Sequence, residues 1–113
     1  MRSRLEPAEK PLHWVGSSKR DLLDMPEPVV HEIGVALSVA QFGSKHPNAK
    51  PWKGLGPGVL ELVSNFATNT FRAVYVVRFE KAIYVLHCFQ KKTQKTRKSD
   101  IELAARRFAE IGE

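Results

Sequence analysis

The stretch that decides the fold is TFRAVYVVRFEKAIYVLHCFQ, residues Thr70–Gln90. It contains two runs rich in Val, Tyr, Phe and Ile, which are residue types enriched in β-strands. Only the polar pair Glu80 and Lys81 separates the two runs. The pattern therefore predicts strands over Thr70–Phe79 and Ala82–Gln90, joined by a two-residue turn into a tight antiparallel hairpin.

The turn also predicts which residues lie opposite each other in the hairpin. With a two-residue turn, Arg72 lies opposite Phe89, and opposed residues share one face of the sheet. His87 and Lys91 are then the diagonal neighbours of Arg72, so one end of one face gathers a guanidinium, an imidazole and an ammonium group. We expect one face to carry Phe71, Ala73, Tyr75, Val77, Tyr84, Leu86 and Cys88, and the other to carry Arg72, Val74, Val76, Arg78, Ile83, Val85, His87 and Phe89.

Five further elements and one long loop are expected around the hairpin. Apolar residues recur at helical spacing before Gly43, which ends a long helix. Segment 44–58 holds three glycines and three prolines, which predicts a loop. Asp100 is expected to cap the last helix. The five elements are strands at Leu12–Val15 and Val59–Val63, and helices at Lys19–Leu23, Glu27–Phe42 and Ile101–Ile111.

Length and composition indicate one globular domain. A chain of 113 residues with 42% apolar and 27% charged residues suits a single compact unit. Residues 1–10 show no periodicity and are expected to form a loose arm before a domain over residues 11–113. No apolar run is long enough to cross a membrane and no secretory signal is present, so we expect a cytoplasmic protein. Cys88 is the single cysteine and the four histidines lack ligand spacing, so no disulfide, metal or cofactor is expected.

The charge distribution favours a polyanionic partner. Eighteen Lys and Arg against twelve Asp and Glu give a net charge of +6. Eight of these cations lie in two runs without an acidic residue, Lys45–Lys53 and Lys91–Lys98. Nucleic acid, a ribosome or an acidic protein would each suit such a surface.

The cationic end of the hairpin has the chemistry of a phosphate site. Arginine offers a planar fork for two phosphate oxygens, histidine exchanges a proton near neutral pH, and lysine adds a point charge. Two structural alternatives remain open. Arg72 would pair with Glu61 on the adjacent strand, and His87 would be a packed, hydrogen-bonded core residue.

Four stretches together resemble the RelE/ParE toxin superfamily, with the phage-related HigB-like branch as the most similar part. They are KPWKGLGPGVLEL at Lys50–Leu62, FRAVYVVRF at Phe71–Phe79, IYVLHCFQKK at Ile83–Lys92 and DIELA at Asp100–Ala104. The resemblance implies an α+β fold, a compact RelE-like domain in which an antiparallel sheet has its helices packed on one side. The implied order of elements is β-α-α-β-β-β-α.

The same resemblance implies a function. It is that of a toxin in a type II toxin–antitoxin system, which cleaves mRNA on the ribosome without a metal and is neutralised by a cognate helix-turn-helix antitoxin. The strand arginine that contacts the scissile phosphate corresponds to Arg72. Many relatives read Glu-Leu-Arg on the preceding strand, whereas this chain has Val63 at the third position. The family's other basic positions correspond to Lys91, Lys92, Lys50 and Lys53, whereas its general base does not carry over because relatives vary in that residue. The predicted site comprises Arg72, Lys91, Glu61 and His87 as catalytic residues, with RNA held by Lys50, Lys53, Lys92 and Lys95.

Three questions stay open at the level of sequence. Either Glu61 or His87 is the general base that would activate the 2′-hydroxyl of the RNA. A ParE-like inhibitor of DNA gyrase that performs no catalysis is an alternative function, since one fold hosts both activities. An inert phage-derived accessory protein is a further alternative, because the arginine expected at position 63 is missing.

Overall fold

The computed structural model describes residues 9–112, which form three helices and a five-stranded mixed sheet. The sheet order is β1-β5-β4-β3-β2, in which β1 runs parallel to β5 and the other neighbours are antiparallel. The expected α+β class is confirmed. In chain order the elements are β1 (Leu12–Trp14), α1 (Ser18–Leu23), α2 (Glu27–Gln41), β2 (Ala49–Pro51), β3 (Val59–Phe66), β4 (Asn69–Val76), β5 (Ile83–Lys91) and α3 (Lys98–Ala109).

The helices lie on both faces of the sheet, so the expectation that all pack on one side is wrong. One apolar cluster joins Leu22 of α1 and Ile33 of α2 to Ala73 and Tyr75 of β4. A second cluster joins Ala104 of α3 to the opposite side of the same strands. We call these sides the α2 face and the α3 face. Alternation along β4 explains the division, because successive side chains point to opposite faces and both sets are apolar.

The predicted register of the hairpin is correct near Arg72 and wrong near the connection between β4 and β5. Arg72 lies opposite Phe89 and Val74 lies opposite His87, as predicted. Tyr75 then lies opposite Val85, so a β-bulge places Leu86 between the two pairings. An extra residue reverses the face of everything beyond it. Ile83 and Val85 therefore belong to the α2-face cluster, and the predicted faces are wrong for residues 83–86.

The connection between β4 and β5 is wider than the predicted two-residue turn. It spans residues 77–82, because β4 ends at Val76 and β5 begins at Ile83. Contacts from outside the hairpin hold both ends of this connection. The backbone N–H of Val77 donates to the carbonyl of Gly58 at 2.8 Å, and that of Ile83 donates to the carbonyl of Pro11 at 2.9 Å. These hydrogen bonds pair both ends of the connection with segments outside the hairpin.

The predicted loop at 44–58 contains the short edge strand β2. Lys50 lies opposite Glu61 of β3, and the N–H of Trp52 donates to the carbonyl of Val59 at 2.8 Å. Pro51 is tolerated because β2 is an edge strand with one neighbour. Gly58 closes the loop with φ of +81°, and a Cβ at this position would lie 2.5 Å from the Cβ of Arg78. Only glycine suits both that backbone and that approach.

The predicted N-terminal arm lies largely outside the described residues. Its last residue, Lys10, is held in place by both backbone and side chain. The N–H of Lys10 donates to the carbonyl of Gln41 at 2.9 Å, and its Nζ donates to the carbonyl of Phe79 at 2.8 Å. The domain therefore includes Lys10 as an anchored residue.

Candidate functional site

An ion pair between Glu61 and Arg72 lies at the centre of the α3 face. Glu61 of β3 is opposite Val74, and Arg72 of β4 is opposite Val63, so the two side chains are diagonal neighbours. Nη1 of Arg72 donates to Oε1 of Glu61. The exposed fractions are 12% for the Arg72 side chain and 9% for that of Glu61. The pairing that sequence left open as the structural alternative for Arg72 is therefore present.

Two open grooves meet at this ion pair. The Glu61 groove has a volume of about 430 Å³ and lies between β2, β3 and the start of α3. The Arg72 groove has a volume of about 440 Å³ and lies where β4 and β5 end at the basic connection to α3. The Glu61 groove is lined by Lys50, Pro51, Trp52, Lys53, Glu61, Thr96 and Ile101. The Arg72 groove is lined by Val63, Asn65, Thr70, Arg72, Lys91, Lys92, Thr93 and Gln94.

Four of the predicted lysines line these grooves. Lys50 and Lys53 are exposed at the Glu61 groove, while Lys91 and Lys92 lie at the Arg72 groove. Lys91 pairs with Thr70, two positions from Arg72, so its side chain and that of Arg72 share one face. Lys95 lines neither groove and is exposed in the connection after β5. The predicted cations thus flank the ion pair from two sides, with the exception of Lys95.

His87 lies on the α3 face as predicted, but it lines neither groove. Its side chain is 7% exposed, and Nε2 lies 2.8 Å from Oδ1 of Asp100. Its ring stacks on Phe89 with 4.6 Å between the centroids. Burial lowers the pKa of His87 below its ordinary value, and the hydrogen bond to Asp100 opposes that shift without overcoming it. His87 is therefore a packed imidazole beneath α3.

Asp100 has a different role from the predicted helix cap. The N-cap residue of α3 is Arg97, and Asp100 stands in the first turn with its carboxylate directed to His87. The acid still lies at the favourable end of the helix dipole. A helix cap would be a contact within α3, whereas the partner of the Asp100 carboxylate is His87 on β5. A pairing between a strand and a later helix depends on which face the helix covers.

Arg107 is a buried cation that the sequence analysis missed. Nη1 donates to the carbonyl of Leu86 at 2.8 Å, and Nη2 donates to Oγ of Ser17 at 3.0 Å. Ser17 in turn donates to Oδ2 of Asp21 at 2.7 Å. A Cβ at Gly16 would lie 2.8 Å from Nε of Arg107, so glycine makes room for the guanidinium. Arg107 thereby fastens α3 to the bulge of β5 and to the turn before α1.

Two further observations bear on the kind of site. Within residues 9–112, no three side chains of His, Cys, Asp or Glu are grouped as a metal ion would require. In the same part of the chain, no helix has the length and apolar character needed to cross a membrane.

A five-stranded mixed sheet with three helices packed on it is consistent with a RelE-like α+β fold. A family model described as phage derived protein Gp49-like (DUF891) matches residues 20–109. The chain therefore belongs to this Gp49-like family, a phage-derived, toxin-like family within the RelE/ParE-like toxin–antitoxin superfamily. A search of curated proteins finds no match. The superfamily predicted from the sequence is confirmed, and the HigB-like branch stays a prediction.

Proposed function

We propose that this protein is the toxin of a type II toxin–antitoxin system and acts as a metal-independent, ribosome-dependent mRNA endoribonuclease. The observation that carries the proposal is the Glu61–Arg72 pair at the meeting point of two lysine-flanked grooves. It combines a group that accepts a proton with a group that binds a phosphate, on a surface that attracts a polyanion.

An RNA strand that passes from one groove to the other brings a phosphate to Arg72. The 2′-hydroxyl of the preceding nucleotide attacks that phosphorus and gives its proton to the base. The bond to the 5′-oxygen breaks, and this oxygen takes a proton from solvent, which leaves a cyclic phosphate and a free 5′-hydroxyl. Arg72 and Lys91 stabilise the negative charge that develops on the phosphate oxygens. Lys50, Lys53 and Lys92 hold the neighbouring backbone, and Lys95 adds a weaker, longer-range attraction.

Of the two candidate bases, the arrangement favours Glu61. Its carboxylate lines an open groove, whereas Nε2 of His87 is held by Asp100 under α3. In the free protein Glu61 is bound to Arg72. An incoming phosphate competes for the same guanidinium, so its arrival would release the carboxylate to accept the proton of the 2′-hydroxyl.

The same surface supports a toxin–antitoxin pair. Exposed lysines around a catalytic ion pair bind RNA without discrimination unless they are covered, and an acidic segment would cover them best. We therefore propose that the cognate helix-turn-helix antitoxin places such a segment over the two grooves. The proposal also locates the protein in the cytoplasm, where ribosomes translate mRNA.

The test is a cell-free translation reaction in which message cleavage is mapped by primer extension. Wild-type protein should cut the translated message, and Arg72→Ala should reduce the rate about a hundredfold or more, as expected for the loss of one preorganised charge at a developing oxyanion. Arg106→Ala is the matched control, because it removes an exposed arginine of α3 outside the grooves. It should cleave like wild type.

Two results would contradict the proposal. One is intact message in the presence of wild-type protein while DNA supercoiling by gyrase is inhibited, which would establish the ParE-like alternative. The other is full cleavage by Arg72→Ala, which would place the active site elsewhere.

A further inference from the structure

We infer that the Glu61 groove is a subsite for one nucleobase of single-stranded RNA, and that Ile101 is the side chain that sets its base preference. The inference rests on the proposed function, because it takes the phosphate beside that nucleotide to lie on Arg72. The phosphate chemistry alone does not say where the nucleobase lies, and the Glu61 groove gives it a position.

The groove combines an apolar wall with polar groups at its rim. Pro51, Trp52 and Ile101 supply the apolar surface, and the remaining lining residues are charged or carry a hydroxyl. A volume of about 430 Å³ lies within the roughly 300–1,000 Å³ of small-molecule pockets. Such a groove suits a flat, weakly polar ring whose edge carries hydrogen-bonding groups.

Ile101 is exposed at an unusual place. It stands in the first turn of α3 with 44% of its surface exposed, while Ala104 of the same helix is fully buried against the sheet. Among residues 9–112, four other large apolar side chains are comparably exposed, namely Leu23, Val35, Phe42 and Phe66. None of those four lines the Glu61 groove or the Arg72 groove. Ile101 is the one that lies beside the ion pair and the lysines.

The charge around the groove identifies the occupant. Lys50 and Lys53 are exposed at its rim, and Arg72 lies next to its only acidic lining residue, Glu61. A ligand must therefore offer negative charge on its outside and apolar surface toward Ile101. A nucleotide of a single strand meets both conditions, since its phosphates are anionic and an unstacked base offers a flat face. The hydroxyl of Thr96 can donate or accept a hydrogen bond at the edge of such a base.

The experiment maps cleavage across a message that contains every base at each position near the cut. The proteins are wild type, Ile101→Ala, Ile101→Leu and Val35→Ala. Wild type should prefer some bases over others at one position beside the cut, and Ile101→Ala should reduce that preference ratio by about tenfold or more, as the loss of apolar carbons in a pocket does. Ile101→Leu keeps the apolar wall and should keep the preference. Val35→Ala truncates an exposed valine of α2 and should leave both rate and preference unchanged.

The outcomes separate the subsite from the proposed function. Cleavage by Ile101→Ala with the wild-type base preference overturns the subsite and leaves the nuclease standing. If Ile101→Ala keeps the wild-type base preference but binds the antitoxin more weakly, the groove binds a protein segment. That result also overturns the subsite. An absence of cleavage by wild type, with Arg72→Ala indistinguishable from it, overturns both. Ile101→Ala should fold like wild type, because alanine favours helix and the replaced side chain is half exposed. Urea unfolding checks this.

Discussion

The α2 face and the α3 face of the sheet bury different kinds of side chain. Under α2 the buried residues are almost entirely apolar, and Ile33, Leu37, Leu62 and Tyr75 are at most 1% exposed. The α3 face buries Glu61 and His87 on the sheet itself, and Arg107 on the helix above it. One face is a conventional hydrophobic core, while the other keeps ionisable groups at the boundary between protein and solvent.

This difference follows from how much of each face a helix covers. The 15-residue α2 packs its apolar side against this face, where an unpaired buried charge would lack both water and a partner. The 12-residue α3 leaves open the side where Glu61 and Arg72 lie. A charge at such a boundary keeps part of its hydration and stays available to a ligand. The fold is therefore stabilised mainly from the α2 face, and the proposed chemistry takes place on the α3 face.

The largest expected effect concerns the base on the α3 face. Glu61→Gln keeps the size of the side chain and an oxygen that can accept from Arg72, but the amide does not accept a proton at neutral pH. Message cleavage in cell-free translation should fall by about 10²- to 10⁴-fold, which is the usual contribution of a general base. Binding of a 2′-deoxy oligonucleotide, measured by fluorescence anisotropy, should not weaken, because a negative charge has left the surface.

His87→Gln is the matched variant for this test. It removes the other candidate base without changing either groove, and it should retain cleavage. If His87→Gln loses cleavage while Glu61→Gln keeps it, the assignment of the base is reversed.

Truncating a buried side chain on the α2 face should lower stability and leave catalysis unchanged. Ile33→Ala empties a site that is 0% exposed, and such truncations cost about 2–5 kcal/mol in the free energy of unfolding. Urea unfolding at pH 7 measures the loss. Val35→Ala, on the exposed side of the same helix, should change stability by less than about 0.5 kcal/mol. A loss of cleavage per folded molecule in Ile33→Ala would show that the two faces are coupled.

Acid should destabilise the protein through His87. Burial lowers its pKa in the folded state below the ordinary value of 6.5, which the unfolded chain retains. Between these two pKa values the unfolded state binds more protons, so the free energy of unfolding decreases as the pH falls below 6.5. Urea unfolding at pH 7 and pH 5 measures the decrease.

Two variants show whether His87 is responsible. His87→Gln should lose less stability than wild type between pH 7 and pH 5. His31→Gln removes an exposed histidine of α2 and should follow the wild-type pH dependence. Equal losses in all three proteins would mean that the acid response comes from other groups.

The smallest effect comes from adding the cation that the resemblance implies at position 63 of β3. Val63 lines the Arg72 groove and lies opposite Arg72, so Val63→Arg adds one charge where a phosphate would lie. Binding of a single-stranded RNA should tighten about threefold and its salt slope should steepen by about 0.7, as one more phosphate contact implies. Like charges directly opposite each other should lower stability by up to about 1 kcal/mol. Val35→Arg adds the same charge outside both grooves, and an equal gain there would mean that net charge alone is responsible.

Local patterns were sufficient to predict the part of the hairpin that carries the proposed site. The assumed two-residue turn predicted that Arg72 lies opposite Phe89 and that His87 and Lys91 share its face. This pairing is present although the connection is wider, because the bulge at Leu86 offsets the one-residue shift in register near the connection. Helical spacing predicted α2 to within one residue, ending at Gln41 where Phe42 was expected. These features depend on interactions between residues close in sequence or paired through one short connection, and such interactions leave a periodic signal.

Long-range contacts decided the rest. The bulge at Leu86 reverses the face of Ile83 and Val85, and its carbonyl accepts a hydrogen bond from Arg107, a residue 21 positions later. The pairing of His87 with Asp100 exists because α3 lies on the α3 face, a choice that the amphipathic pattern of a helix does not encode. The sequence by itself determined seven of the eight elements of the described residues and the shared face of Arg72 and Lys91. Only the tertiary structure decided that Glu61 lines a groove beside Arg72 while His87 is bound to Asp100 beneath α3, because these contacts depend on which elements pack over each strand.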